Sequence, residues 1–283
     1  MPEGHTLHRL ARDHAAWLGG CQVAVSSPQG RFARSAALLD GARFETAEAY
    51  GKHLFHHYEG ERVVHVHLGL YGKFLRHDLP APPPRDTVRY RVAGGDVCLD
   101  LIGAIACELL PADEVVRVTD RLGPDPLRSD ADPDRAFAAL QRRRIGIGQA
   151  LMDQSVLAGV GNVFRAELLF VHGLHPEVPA NTVTHEQWHE MWTTLRGWLR
   201  AGVRSNRIVT VDPGEVGIPR SEMTREQATY VYKSERCPRC ATEIRRWEIA
   251  GRWAYACETC QPKPRRRRTT TAKKRPTPQR AAS

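Results

Sequence analysis

Two cysteine pairs near the C-terminal end set the tightest limit on what this chain can fold into. Cys237-Pro238-Arg239-Cys240 is followed, after sixteen residues, by Cys257-Glu258-Thr259-Cys260. Two such knuckles at this spacing supply four thiolates to one tetrahedron, a closed site in which zinc is structural. A pair of redox dithiols is the alternative chemistry for the same pattern. Between the knuckles, Arg245 to Ile249 and Gly251 to Tyr255 read as the two strands of a hairpin, with Arg252 near its bend. A zinc ion there would serve to aim that hairpin. The other three of the seven cysteines, Cys21, Cys98 and Cys107, are scattered and read as small buried residues.

Charge is as unevenly placed as cysteine. The 283 residues hold 41 lysines and arginines against 32 acids, a formal charge of +9. Nine of those bases and no acid fall in residues 261–283, so the rest of the chain balances 32 against 32. The segment 262–283 is rich in Pro and Thr, lacks apolar periodicity and reads as a disordered basic tail. Such a tail suits a polyanion such as DNA, or simply keeps the chain soluble. No run approaches the roughly 18 apolar residues of a membrane span, and the N-terminus has no basic region leading into an apolar stretch. The expectation is an intracellular protein that uses no membrane. Its length is enough for more than one core.

At the other end, Met1-Pro2-Glu3-Gly4 leaves a secondary amine at the terminus once the initiator is removed. An α-amino group titrates near 8 and a lysine near 10.4, so about a hundredfold more of the former is neutral at pH 7. A neutral amine attacks carbonyl-like carbons and forms Schiff bases, and Glu3 beside it is suited to shuttle protons. Residues 4–18 then read as a helix ended by Gly19 and Gly20. Residues 53–58, 63–68, 73–77, 87–92 and 96–101 read as short strands of a sandwich or barrel, with Tyr50-Gly51-Lys52 as a turn presenting Lys52. His65 and His67 share a strand face, where packing or DNA contact is the expected role. The stretch 111–133 reads as a linker, 133–143 as a helix, and 184–201 as a helix opened by a Thr184/Gln187 capping box. Between those helices a helix is expected to reach Ser155, followed by turns at Gly159 and Gly161 and a new helix from Asn162. The free N–H groups of that turn, and the Asn162 amide, suit a phosphate.

Taken together, Pro2-Glu3-Gly4, Lys52, the Gly159–Asn162 turn and the four-cysteine ribbon with Arg252 resemble the formamidopyrimidine-DNA glycosylase/endonuclease VIII family, from residue 2 to about 261. The resemblance implies an α+β multidomain fold: an N-terminal β-sandwich catalytic domain with a flanking helix (1–124), a helix-two-turn-helix domain (125–232) and a zinc finger (233–261), before the tail. It implies a bifunctional DNA glycosylase/AP lyase of base-excision repair, a cytoplasmic monomer associated with the nucleoid through DNA and acting on damaged DNA in duplex, single-stranded or bubble form. Pro2 would attack C1′ of a flipped nucleotide, Glu3 would transfer protons, and Lys52 would assist protonation and contact phosphate. Asn162 and Arg252 would grip the backbone, and Cys237, Cys240, Cys257 and Cys260 would hold one structural Zn2+. The oxidised-purine branch fills the gap with an Arg–Phe pair from a loop that here reads Leu101 to Ala106 and lacks it. Leu70 and Tyr71 match the wedge of the oxidised-pyrimidine branch, although Gly69 lacks the polar side chain usual there. Thr6 stands where the family carries a second glutamate. An oxidised-purine glycosylase and a non-catalytic zinc-ribbon DNA-binding protein are the alternative readings.

Overall fold

The computed structural model describes residues 2–264, so the expected tail lies, from residue 265 onward, outside the described residues. Helix α1 (Gly4–Leu18) buries Leu7, Ala11 and Leu18. There follow β1 (Ala24–Ser26), α2 (Ala33–Leu39), β2 (Phe44–Tyr50), β3 (His53–Tyr58), β4 (Arg62–His67), β5 (Lys73–Asp78), β6 (Val88–Gly94), β7 (Val97–Ile102) and β8 (Ala106–Pro111). They build two four-stranded antiparallel sheets, ordered β1-β6-β7-β5 and β2-β3-β4-β8. Tyr90, Val92 and Leu99 of the first sheet share one core with Leu54, Val64 and Val66 of the second and with Leu7 and Leu18 of α1. The sheets therefore pack face to face, with α1 in the same core.

Five elements of this half escape the sequence pattern: β1, α2, β2, β8 and a helix that follows β8. Strand β2 alternates poorly because its register to β3 shifts between Phe44 and Thr46, a bulge that breaks the period of two. The expected linker at 111–133 opens instead with α3 (Ala112–Thr119), which carries Asp113 and Glu114 in its first turn and Arg117 in its last. Packed on β4 and β8, α3 accounts for the burial of β4 on both faces, Val63 and His65 as well as Val64 and Val66.

The second half is helical, with α4 (Pro133–Gln141), α5 (Ile147–Ala150), α6 (Asn162–Val171), α7 (His185–Ser205) and the short α8 (Pro213–Val216). The helix expected to reach Ser155 stops at Ala150. Asp153 turns its carboxylate onto the Ser155 backbone N–H (2.9 Å) and hydroxyl (2.6 Å), and such local bonding competes with a helix. Thr184 and Gln187 form the capping box of α7. Trp188, Met191, Trp192, Leu195, Trp198 and Leu199 fill a second core with Phe164 and Leu168 of α6. Strands β9 (Arg245–Ile249) and β10 (Arg252–Ala256) pair antiparallel, Ile249 opposite Arg252. Their Tyr255, with Ile244 and Cys257, packs on Phe170 and Tyr230 in a third core. Among the described residues no helix is long and apolar enough to cross a membrane.

Candidate active site

Glu3 is the residue on which the two halves converge. It stands at the N-cap of α1 in extended conformation, with Pro2 half-buried before it. Its side chain is fully buried and crosses to α6, where Oε2 accepts from the Gly161 N–H (2.8 Å) and Oε1 from the Val163 N–H (2.9 Å). A carboxylate at a helix N-terminus satisfies donors that the helix leaves unpaired. A Cβ at position 161 would lie 2.4 Å from the Glu3 carboxyl carbon, so glycine there is the condition for Glu3 reaching α6 at all. This corrects the expectation for the turn: two of its N–H groups serve Glu3 rather than a phosphate. The Gly4 N–H adds a bond to the Gly159 carbonyl (2.8 Å).

Lys52 approaches from the β2–β3 turn and donates to the Val160 carbonyl at 2.6 Å. Asp125 fastens that turn in place. Its Oδ2 accepts from the Gly51 N–H (2.7 Å) and faces His8 Nε2 (2.6 Å), while Oδ1 accepts from the Leu127 N–H (2.9 Å). Gln154 braces the loop from within, donating to the Val160 carbonyl (3.0 Å) and accepting from the Gly159 N–H (3.1 Å). Burial raises the Glu3 carboxyl above the ordinary glutamate range, against the opposing pull of Lys52 and the backbone N–H groups. Burial lowers the Lys52 ammonium, Glu3 opposes the shift, and Arg252 adds to it. An amine, a carboxylate that takes up protons more readily than usual and an ammonium that gives them up more readily are thus gathered together.

The ribbon is joined to this site through a buried guanidinium. Arg165, 1% exposed in mid-α6, donates to the Gly148 carbonyl (3.3 Å), to Asn162 Oδ1 and to the Trp253 carbonyl (2.7 Å). Burial lowers its pKa to about 10. Asn162 Nδ2 donates to the same Trp253 carbonyl at 3.1 Å, and the amide also lies within hydrogen-bonding reach of Tyr232. Arg252, exposed, therefore starts β10 beside a carbonyl held by two α6 side chains. Sequence reasoning missed Arg165, although two charges, Arg165 and Glu167, inside the otherwise apolar run Val163–Val171 were its signal.

The expected wedge lies at the β4–β5 turn, with Leu70 44% and Tyr71 83% exposed. Gly69 precedes it at φ +67°, and a Cβ there would lie 2.2 Å from Ile105 Cδ1. Ile105 thus fills the space of a side chain at 69 and, at 71% exposure, extends the same apolar edge. His53 Nδ1 meets His65 Nε2 at 2.8 Å, and His65 Nδ1 meets Glu108 at 2.8 Å. Their packed rings do not converge on a metal set among the described residues. His5 packs edge-on to Phe164, and burial lowers its pKa to about 4, so the residues after Gly4 tie α1 to the helical half.

The four ribbon thiols form a compact set, all within 4.8 Å of one another. Sγ separations are 3.4 Å for Cys240–Cys257, 3.6 Å for Cys240–Cys260 and 3.8 Å for Cys237–Cys260. Zinc–sulfur bonds of about 2.3 Å in a tetrahedron set sulfurs about 3.8 Å apart. The set fits a metal ion of that size.

Residues 1–100 match the formamidopyrimidine-DNA glycosylase N-terminal domain and residues 122–212 match the formamidopyrimidine-DNA glycosylase H2TH domain. Endonuclease 8 1 of Mycobacterium tuberculosis (strain ATCC 25618 / H37Rv) is 46% identical over 268 residues, covering 92% of this chain and 100% of the relative. The chain belongs to the formamidopyrimidine-DNA glycosylase family. The formamidopyrimidine-DNA glycosylase of Nocardioides sp. (strain ATCC BAA-499 / JS614) is 30% identical over 253 residues, 85% of this chain and 84% of the relative. Within the formamidopyrimidine-DNA glycosylase family the chain therefore sits on the endonuclease VIII-like branch. The Lactococcus lactis formamidopyrimidine-DNA glycosylase, solved bound to DNA containing an AP site, superposes with a TM-score of 0.75 at 22% identity, over 92% of this chain and 100% of that one. That likeness is one of fold. Membership makes the protein an enzyme of the DNA glycosylase/AP lyase class in base-excision repair, and DNA its macromolecular partner.

Proposed function

We propose that the protein excises oxidised pyrimidines from damaged DNA and cuts the strand at the resulting site, working as a monomer in the cytoplasm. The observation that carries this reading is the Glu3 carboxylate, buried between the N-termini of α1 and α6 with Pro2 beside it and Lys52 facing it. The Pro2 nitrogen attacks C1′ of the flipped nucleotide, forming a C–N bond as the glycosidic bond breaks. Lys52 supports protonation of the departing base, and Glu3 accepts and returns protons as the sugar ring opens to a Schiff base. Loss of a C2′ proton then expels the 3′ phosphate, and a second elimination expels the 5′ phosphate. Arg252 and the Asn162 amide hold the flanking backbone. Cys237, Cys240, Cys257 and Cys260 hold a structural zinc that fixes the ribbon carrying Arg252.

The lesion class is tested by excision rates on two duplexes that differ only in carrying thymine glycol or 8-oxoguanine. Faster release of thymine glycol, by about tenfold or more, is expected from a pocket that separates two base shapes by at least 1.4 kcal/mol. Equal rates, or a preference for 8-oxoguanine, would overturn the pyrimidine reading and favour the oxidised-purine one.

Leu70, Tyr71 and Ile105 support a wedge made from two loops. A wedge offsets the loss of stacking when a base leaves the helix, about 1–3 kcal/mol per contact. Tyr71→Ala combined with Ile105→Ala should slow excision from duplex by at least about tenfold and leave excision from single strands nearly unchanged. Equal losses on both substrates would remove the wedge role.

The alkaline side of the pH profile reports Lys52. Its ammonium is destabilised by burial, so activity should fall as pH rises through a value below the lysine reference of about 10.4. Lys52→Arg keeps the charge at all working pH and should move that limb upward. A limb unmoved by Lys52→Arg belongs to another group.

A further inference from the structure

We propose that Asp134, His185 and His189 form a second metal site, for a divalent transition-metal ion such as zinc or nickel, on the helical domain. His185 and His189 lie one turn apart on the first turns of α7, and Asp134 lies in the first turn of α4. Both Nε2 atoms face the same oxygen, Asp134 Oδ1, at 2.9 and 2.8 Å, and they lie 3.1 Å from each other.

Protons satisfy this triangle badly. A neutral imidazole has one N–H, and if both rings donate to Asp134, their two Nε2–H groups confront each other across the short side. A cation bound by all three atoms removes the conflict. Bonds of about 2.0–2.2 Å in a tetrahedron set neighbouring nitrogen and oxygen ligands about 3.3 Å apart. The observed triangle is one face of that figure, slightly contracted. Imidazole with carboxylate suits zinc, nickel and copper, whereas magnesium and calcium prefer all-oxygen sets.

The ligands are held before any ion arrives. Trp188 Nε1 donates to the Pro133 carbonyl at 2.8 Å and pins the start of α7 to the start of α4. The Asp132 cap fixes the first turn of α4, and the ring of Phe137 stands edge-on to His185 at 5.2 Å. The side chains of His185, His189 and Asp134 remain 60%, 38% and 64% exposed, which leaves the fourth position to water. Two helix N-termini meet there, and their positive ends oppose a cation. Affinity is therefore well below that of a four-thiolate ribbon, and the two sites separate in a titration.

The site stands apart from catalysis. Gly202, against which His5 packs, is seventeen residues along α7 from His185, about 25 Å at the helical rise. Bound metal acts as a clamp between α4 and α7.

The test is calorimetric titration of Ni2+ into the full-length chain, isolated with its ribbon intact and with no histidine tag. One saturable Ni2+ per chain is expected, with a rise in the melting temperature of the helical domain. Asp134→Asn and the double substitution His185→Ala, His189→Ala should each weaken binding at least tenfold and abolish the thermal shift, while excision activity and the circular dichroism spectrum stay as in the parent. Absence of saturable binding, or binding unaltered by either substitution, overturns the proposal.

Discussion

Blocking the nitrogen of Pro2 should abolish the borohydride-trapped adduct with abasic DNA and reduce base excision by about 10³-fold or more, the scale of loss when a covalent catalyst loses its nucleophile. Two proteins suffice for the block, one acetylated at Pro2 and one in which the initiator methionine is retained. In the first the amine becomes an amide, and in the second it is part of a peptide bond, so neither has a lone pair to give. The competing nucleophile is Lys52, whose ammonium is already destabilised by burial and whose Nζ lies 2.6 Å from the Val160 carbonyl. Trapping by the blocked proteins at the parent rate, lost only on Lys52→Ala, would move the Schiff base to Lys52. Glu3→Gln separates the steps further. It should slow release of an intact base, where Glu3 must drive opening of the sugar ring, more than trapping at a preformed abasic site, whose ring opens to the aldehyde by itself.

The parts of this molecule that announce themselves in sequence are those whose signal is local. A capping box, a cysteine knuckle and an amphipathic face are each complete within twenty residues, and α7, the β9–β10 hairpin and the start of α6 fall where those signals point. Elements whose form depends on distant partners stay hidden. Strand β2 is disguised by its bulge, and α3 is an eight-residue helix with no fully buried residue, held by its packing on β4 and β8. At the site the same division holds. Pro2, Glu3 and Lys52 stand out by chemical type and position. Asp125 does not, because Gly123-Pro124-Asp125-Pro126 looks like a linker until the Gly51 N–H and His8 are seen on its carboxylate. Ile105 is invisible without knowing that Gly69 leaves it room. Glu167 shares a helix with Arg165 and is fully buried, where it accepts from Thr210 and from the backbone of Tyr230, Val231 and Tyr232. Charges inside an apolar helix were the available sign that α6 organises everything around it.

Replacing Cys257 with serine should melt the ribbon while leaving the other two cores folded, and should cost the enzyme its grip on DNA of any sequence. Cys257 is wholly buried, and a four-thiolate zinc site contributes about 10–16 kcal/mol of binding free energy to folding, more than a hairpin of this size gains from its own apolar contacts. The sandwich core and the helical core contain no ribbon residue, whereas the third core joins Tyr255, Ile244 and Cys257 to Phe170 and Tyr230. Loss of the hairpin also removes the Trp253 carbonyl from Arg165 and Asn162, and unpairing a buried charged donor costs about 1–3 kcal/mol or more. The Asn162 amide then loses its fixed direction at the moment Arg252 is lost. Calorimetry should resolve a separate transition for the ribbon, absent in Cys257→Ser and in the parent protein stripped by a strong chelator. Fluorescence anisotropy should find affinity reduced at least tenfold on every duplex, with a salt slope shallower by about one for each phosphate contact removed. Full affinity with an unchanged slope would mean that the ribbon touches no phosphate, and the role of Arg252 would fall with it.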